Sequence, residues 1–154
     1  MKLSTKSRYG VRALFDIAFH SEGLPTSIKE ISRRQGITPR YLEQIFQKLK
    51  RAGIVKSVRG PKGGYHLSRK PEEIAVSEII RAMGESIEPI FCVRPLKGRK
   101  RCRRESKCAA QMVWSEAGRR LVEYLNSVSL AGMCKMAREW GVEGAAHGRL
   151  RNSG

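Results

Sequence analysis

Residues 38–65 read TPRYLEQIFQKLKRAGIVKSVRGPKGGY. Thr38 is a helix-capping type, and Pro39 follows at the first helical position, where a missing N–H costs nothing. Leu42, Ile45, Phe46 and Leu49 recur at helical spacing and predict one buried face. Arg40, Glu43, Gln44, Gln47, Lys48 and Arg51 take the other faces. Gly53 suits the helix stop. Ile54 to Val58 then reads as a strand and Tyr65 to Leu67 as its return. Between them, Arg59-Gly-Pro-Lys-Gly-Gly64 is a hairpin tip of residues that tolerate unusual dihedrals. A capped, polar-faced helix followed by a basic hairpin makes a winged helix-turn-helix, a unit suited to reading double-stranded DNA.

The flanking sequence completes that unit. Residues 5–20 predict a first helix, with Tyr9, Ala13, Leu14, Ile17 and Ala18 on one stripe. SEGLPT breaks it at Gly23 and Pro25. Ser27, with Glu30 three residues on, is a capping-box signature for a second helix that buries Ile28 and Ile31 and ends at Gly36. Ile74 to Met83 predicts a further short helix, stopped by Gly84.

Periodicity is lost from Ser86 to Lys107 in a basic, cysteine-containing loop, and a loop of this length is usually functional or disordered. It resumes near Ala109. Val113, Ala117, Leu121, Leu125 and Val128 mark a helix of about 20 residues, ~30 Å long. A second copy of the chain is the economical cover for that stripe. A last helix is expected over Leu130 to Trp140, and the small, polar tail from Val142 is expected to fray.

The expected fold class is therefore mainly α with a small β-wing: a winged helix-turn-helix plus a long C-terminal dimerisation helix. The boundaries are 1–84 for the DNA-binding domain and 85–108 for a sensor loop. Residues 109–141 follow as the dimerisation and final helices, and 142–154 as a flexible tail.

Composition narrows the function. Lys+Arg number 31 against 14 Asp+Glu, a net charge of +17 and a pI near 10.4. Such an excess destabilises a compact chain by self-repulsion, and a polyanionic partner accounts for it. No apolar run approaches the ~18 residues of a membrane span. MKLSTKSRYG has no signal-peptide core, so the cytoplasm is the expected location. No helix pairs a Trp/Phe/Leu face with a Lys-rich one, which disfavours a membrane surface. No nucleophile–base pair or carboxylate pair is visible, and RGPKGG joins strand to strand rather than strand to helix, so the sequence does not read as an enzyme and no small-molecule substrate is expected.

A major groove admits one helix. Arg40 suits guanine, Gln44 adenine and Glu43 the cytosine amine. Thr38 and the free N–H groups behind it suit a phosphate, as does Lys48. Each of these side chains is equally at home on a solvated surface, but a whole set on a capped helix beside a basic hairpin is not. Tyr41 suits core packing and phosphate contact equally. In the wing, Arg59 suits a narrow minor groove. Gly60, Gly63 and Gly64 permit close approach of the backbone to phosphates, and Lys62 adds charge.

Cys92, Cys102 and Cys108 are separated by nine and five residues. This is not the short pairing of most zinc sites, and it suits an iron–sulfur cluster on an extended loop. Zinc, a thiol redox switch and an inert loop stay open on spacing alone. Seven Lys/Arg between 97 and 107 would favour thiolates and offset a cluster's negative charge. No fourth ligand stands out among Gln111, Glu105, Cys134, a partner subunit or an external thiol. Cys134, between Met133 and Met136 in a helix, reads as a buried thiol.

MKLSTKSRYGVRAL, ISRRQGI, YLEQIFQKL, VRGPKGGYHL, IAVSEII and LNSVSLAGM together resemble the IscR-type family of bacterial winged-helix regulators, from Met1 to about Gly141. The resemblance implies a homodimer that crosses its long helices and sets one winged helix on each half of a near-palindromic operator. It places Arg40, Glu43 and Gln44 at the major-groove positions and Arg59 at the minor-groove position. Cys92, Cys102 and Cys108 match the family's cluster cysteines, with a 2Fe-2S cluster favoured over 4Fe-4S. Two departures stand out. The first cysteine gap is longer than usual, and Gln111 replaces a histidine ligand. Arg8 and Arg12 occupy positions near which other branches draw a ligand, and arginine cannot serve. The expectation is a regulator, most often a repressor, that senses iron–sulfur or redox status. The rivals are a cluster-free member gated by thiol oxidation or a protein partner and, more distantly, an iron–sulfur carrier or an RNA-binding accessory protein.

Overall fold

The computed structural model describes residues 3–87 and 108–142. Cys92, Cys102, most of the cysteine loop and the tail beyond Val142 lie outside the described residues.

Helix α1 spans Thr5–His20, with the Ser4 hydroxyl accepting from the Ser7 N–H. Helix α2 spans Ile28–Gln35 behind the expected capping box. Ser27 Oγ accepts from the Glu30 N–H at 3.2 Å, and the Ser27 N–H donates to Glu30 Oε2 at 2.9 Å. Helix α3 spans Pro39–Arg51. Thr38 is its N-cap residue, but the hydroxyl makes no capping bond, so the expected cap holds in position and not in chemistry.

Strands β1 (Val55–Val58) and β2 (Gly64–Leu67) pair antiparallel, from Val55 opposite Leu67 to Val58 opposite Gly64. The first strand therefore starts one residue later than expected, and Gly64 belongs to the return strand rather than the tip. A 3₁₀ turn at Pro71–Glu73 leads to α4 (Val76–Ala82), and α5 (Ala109–Ser127) and α6 (Leu130–Glu139) close the chain.

Two backbone pairings have no signal in the sequence. Thr26 and Tyr65 exchange N–H···O bonds of 2.9 and 2.8 Å, which tie the wing to the lead-in of α2. Ile74 and Ala75, expected to be helical, instead form a short bridge. The Leu130 N–H donates to Ile74 O at 3.0 Å and the Val76 N–H to Val128 O at 2.9 Å, which fixes the end of α5 to the start of α4.

The main core joins α1, α2, α3 and α4 through Leu14, Ile17, Ile31, Leu42, Phe46 and Ile79, all essentially sealed from solvent. Each such side chain contributes about 1.5–3 kcal/mol relative to exposure. A second cluster of Val76, Ile80 and Ile87 packs against Leu121, Val122, Leu125 and Val128 of α5. The C-terminal half of the α5 stripe is thus covered by the chain itself, which corrects the expectation that the whole stripe needs a second copy. Ile87 is buried, and Glu85 accepts from Ser7 Oγ at 2.7 Å, so the first residues past Gly84 belong to the DNA-binding unit rather than to the loop.

Asp16 is enclosed in the core beneath α2. Its carboxylate accepts from Arg34 Nε at 3.0 Å, Arg34 Nη2 at 2.7 Å and Gln35 Nε2 at 2.9 Å. His20 Nε2 lies 3.9 Å from Asp16 Oδ1, yet burial outweighs that attraction and pushes the imidazole below its usual range. These bonds fix α1 to α2, the scaffold on which α3 is set.

Candidate nucleic-acid interface

The helical period that buries Leu42, Ile45, Phe46 and Leu49 turns Arg40, Glu43, Gln44, Gln47 and Arg51 outward, and all five are exposed. None of them makes a hydrogen bond or ion pair among the described residues. The structure therefore brings the expected base-reading side chains together on one free face, and Thr38 lies exposed at its N-terminal end.

The flanks of α3 differ from expectation. Lys48 donates to Met83 O at 2.9 Å. Its ammonium sits on a C-terminal carbonyl of α4, where a cation is favoured. It links two helices, which corrects its reading as a phosphate contact alone. Tyr41 is half-buried and meets Tyr9 edge to face, with ring centroids 5.7 Å apart. On the other flank Lys50 donates to Ser57 Oγ of β1 at 2.7 Å, joining the helix to the wing. Lys50 carries no signal in the sequence, because its partner lies seven residues away across a turn.

Arg59, Gly60, Pro61 and Lys62 form the exposed wing tip, closed by a bond from the Gly63 N–H to Gly60 O at 2.9 Å. Gly64 has another reason to be glycine. At φ +153°, a Cβ there would overlap the Thr26 carbonyl. Its lack of a side chain is required by the protein's own backbone.

On α5, Arg119 is paired with Glu116 and Glu123, and Arg120 with Glu116. Hydrogen bonds from Arg119 and then Arg120 hold the Glu116 carboxyl down at about 2. That helix is locally neutralised, whereas the α3 face and the wing tip are not.

Of the three loop cysteines only Cys108 is described. It is the half-exposed N-cap residue of α5, its side chain making no capping bond, where the helix end favours a negatively charged group. Gln111, Met112, Ser115, Glu116 and Arg119 line the surface recess one turn on. Cys134 is buried, and burial pushes its thiol up, as expected of a packing residue. Among the described residues no three His, Cys, Asp or Glu side chains converge on a metal position. Arg12 lies over the Tyr9 ring and donates to Gln35 of α2, and Arg8 donates to Thr5 Oγ1.

A family model for Rrf2, described as an iron-dependent transcriptional regulator, matches residues 3–136. The chain belongs to the Rrf2 family. It is 43% identical over 130 residues to the HTH-type transcriptional regulator IscR of Aliivibrio salmonicida, covering 84% of this chain and 75% of that protein. Among solved structures it is similar to T. potens IscR, with a TM-score of 0.70 and 38% identity over 97% of this chain and 94% of that one. It is also similar to CymR, the global cysteine regulator of B. subtilis, with a TM-score of 0.70 and 34% identity over 88% of this chain and 98% of that one. As an Rrf2 protein the chain is a winged-helix transcription regulator and not an enzyme. No helix among the described residues is long and apolar enough to cross a membrane.

Proposed function

We propose that this Rrf2 chain is a homodimeric cytoplasmic repressor that binds a near-palindromic operator and responds to iron–sulfur or redox status through Cys92, Cys102 and Cys108. The observation that carries the reading is the free face of Arg40, Glu43, Gln44 and Gln47 on α3, flanked by the uncovered wing tip at Arg59 and Lys62. A helix with such a face enters a major groove, and the wing follows the backbone to the adjacent minor groove.

Dimerisation is supported by apolar side chains of α5 that stay exposed among the described residues. Val113, Ala117 and Tyr124 fall on one stripe by helical spacing, and Val113 and Tyr124 are 61% and 60% exposed. A second copy of the same helix covers such a stripe symmetrically.

The donor set fits an iron–sulfur group in its chemistry. Cysteine sulfurs are the usual ligands, and Cys108 stands at the positive end of α5. When bound, the cluster would supply an iron- and redox-dependent group there, held by Cys92, Cys102 and Cys108. The chain's own contacts then offer a route to DNA. The C-terminal half of α5 packs on α4, and Lys48 of α3 holds an α4 carbonyl. A shift of α5 is thereby felt at the base-reading helix, which is the linkage a sensor needs.

A second reading, a cluster-free regulator gated by thiol oxidation or a protein partner, is favoured by Gln111 at the fourth-ligand position. The test is iron and acid-labile sulfide per chain, with the visible spectrum, after anaerobic purification from an iron-replete host. Stoichiometric iron and sulfide, lost in Cys102→Ala, support the cluster. Colourless, metal-free protein moves the assignment to the second reading. Selection of duplexes from a random pool tests the DNA reading separately, and failure to enrich a two-fold symmetric sequence would remove it.

A further inference from the structure

The outward face of α3 is centred on Arg40, Gln44, Gln47 and Arg51, so its two flanks face the phosphate strands that wall a groove about 12 Å wide. The flank beside the wing is held by the bond from Lys50 to Ser57. The opposite flank carries Tyr41 and Lys48, and there α1 joins the surface. The contact of Tyr9 with Tyr41 brings the first turns of α1 and α3 side by side. Lys6, one turn before Tyr9, lines a small recess with Tyr41, Gln44, Ile45 and Lys48. Its volume is about 30 Å³, enough for a single polar atom rather than a ligand. Gln44 belongs both to this recess and to the exposed face of α3, which places the recess beside the groove contact.

Two groups at this recess lack employment. The Tyr41 ring packs against the core, but among the described residues its hydroxyl has no hydrogen-bond partner. The exposed Lys6 ammonium likewise has no bond or ion pair there. Lys48 is held by Met83, and the nearby Glu85 carboxylate is engaged by the Ser4 N–H and the Ser7 hydroxyl.

We propose that Lys6 and the Tyr41 hydroxyl together hold one backbone phosphate of the duplex, on the flank of α3 away from the wing. The proposal rests on the DNA-binding reading above and adds α1 to the interface. Lys6 supplies the charge, and Tyr41 supplies a donor fixed by its packed ring. A phosphate contact positions the protein and carries no sequence information, so its loss weakens binding to all duplexes alike.

The test measures affinity of the full chain for a short mixed-sequence duplex across a salt series, using Lys6→Ala, Tyr41→Phe and the double variant. Lys6→Ala is expected to lower the slope of log affinity against log salt by about 0.9 per bound protomer. Tyr41→Phe, which removes no charge, is expected to weaken binding with the slope unchanged. If both groups hold the same phosphate, the double variant loses less than the product of the two single losses. An unchanged slope in Lys6→Ala, or losses that multiply independently, overturns the shared site. Absence of salt-dependent binding in the unaltered chain would instead defeat the DNA reading itself. Lys6 is exposed, so an unchanged melting temperature in Lys6→Ala confirms that binding and not folding is being read.

Discussion

Asp16 is a charge placed where water cannot reach it, and its stability contribution depends on its donors staying in place. Replacing it with alanine strands the Arg34 guanidinium, which is itself mostly covered. Breaking a buried pair from one side costs about 3–5 kcal/mol. Asp16→Ala is therefore expected to shift the urea midpoint by that equivalent, and a change under about 1 kcal/mol would show that solvent takes over the pairing. Arg59 is the opposite case, exposed and without a partner among the described residues. Arg59→Ala is expected to leave the midpoint unchanged and weaken operator binding by about 1–3 kcal/mol, read by fluorescence anisotropy at physiological salt. Undiminished affinity would take the wing out of the minor groove. The exposure of Arg59 and Arg40 is legible in the sequence, because helical periodicity and the hairpin tip supply it. The roles of Lys48 and Gly64 are not. The partner of Lys48 lies 35 residues away, and the constraint on Gly64 comes from the Thr26 backbone, so no local pattern encodes either.

Helix α2 is a short arm of the DNA-reading unit, and its start depends on a reciprocal cap. The Ser27 hydroxyl, then the Ser27 N–H, hold the Glu30 carboxyl below its ordinary value of 4.5. A carboxyl depressed by folding adds stability above its unfolded pKa and loses it as pH falls through the folded one. The wild-type chain should thus lose this contribution progressively below about pH 4.5. Ser27→Ala should cost about 1 kcal/mol at neutral pH and show a shallower decline in acid. Melting curves at pH 7 and pH 3 decide it, since equal acid sensitivity in both proteins would mean that the cap does not set the Glu30 titration. The cap was readable because both partners lie within one turn. The bridge between Ala75 and Ser129 was not, because the long chain between them hides that pairing from any window of sequence.

Across the described residues, α5 divides into a half that packs on α4 and a half whose apolar side chains stay exposed. Met112, Val113 and Trp114 cluster in the exposed half, at 75%, 61% and 44% exposure. Trp114→Glu is expected to shift the chain from dimer to monomer in sedimentation. Affinity for a two-site operator should then fall far more than affinity for an isolated half-site. A variant that remains dimeric would place the interface elsewhere. The apolar stripe along α5 was legible from spacing. Where the cover from α4 ends was not, because that boundary depends on how far α4 reaches along it.

The pairing of Thr26 with Tyr65, closed over Gly64, leaves the wing no room to swing relative to α2, and Lys50 joins the same wing to α3. The chain is therefore a caliper with welded jaws. One added base pair turns a duplex by roughly 35°, so an insertion between the bases read by the helix and those read by the wing carries one of them out of phase. In the proposed dimer, spacing tolerance is left to the joint between the two copies. Half-sites would then be rigid words, and only the gap between them could vary.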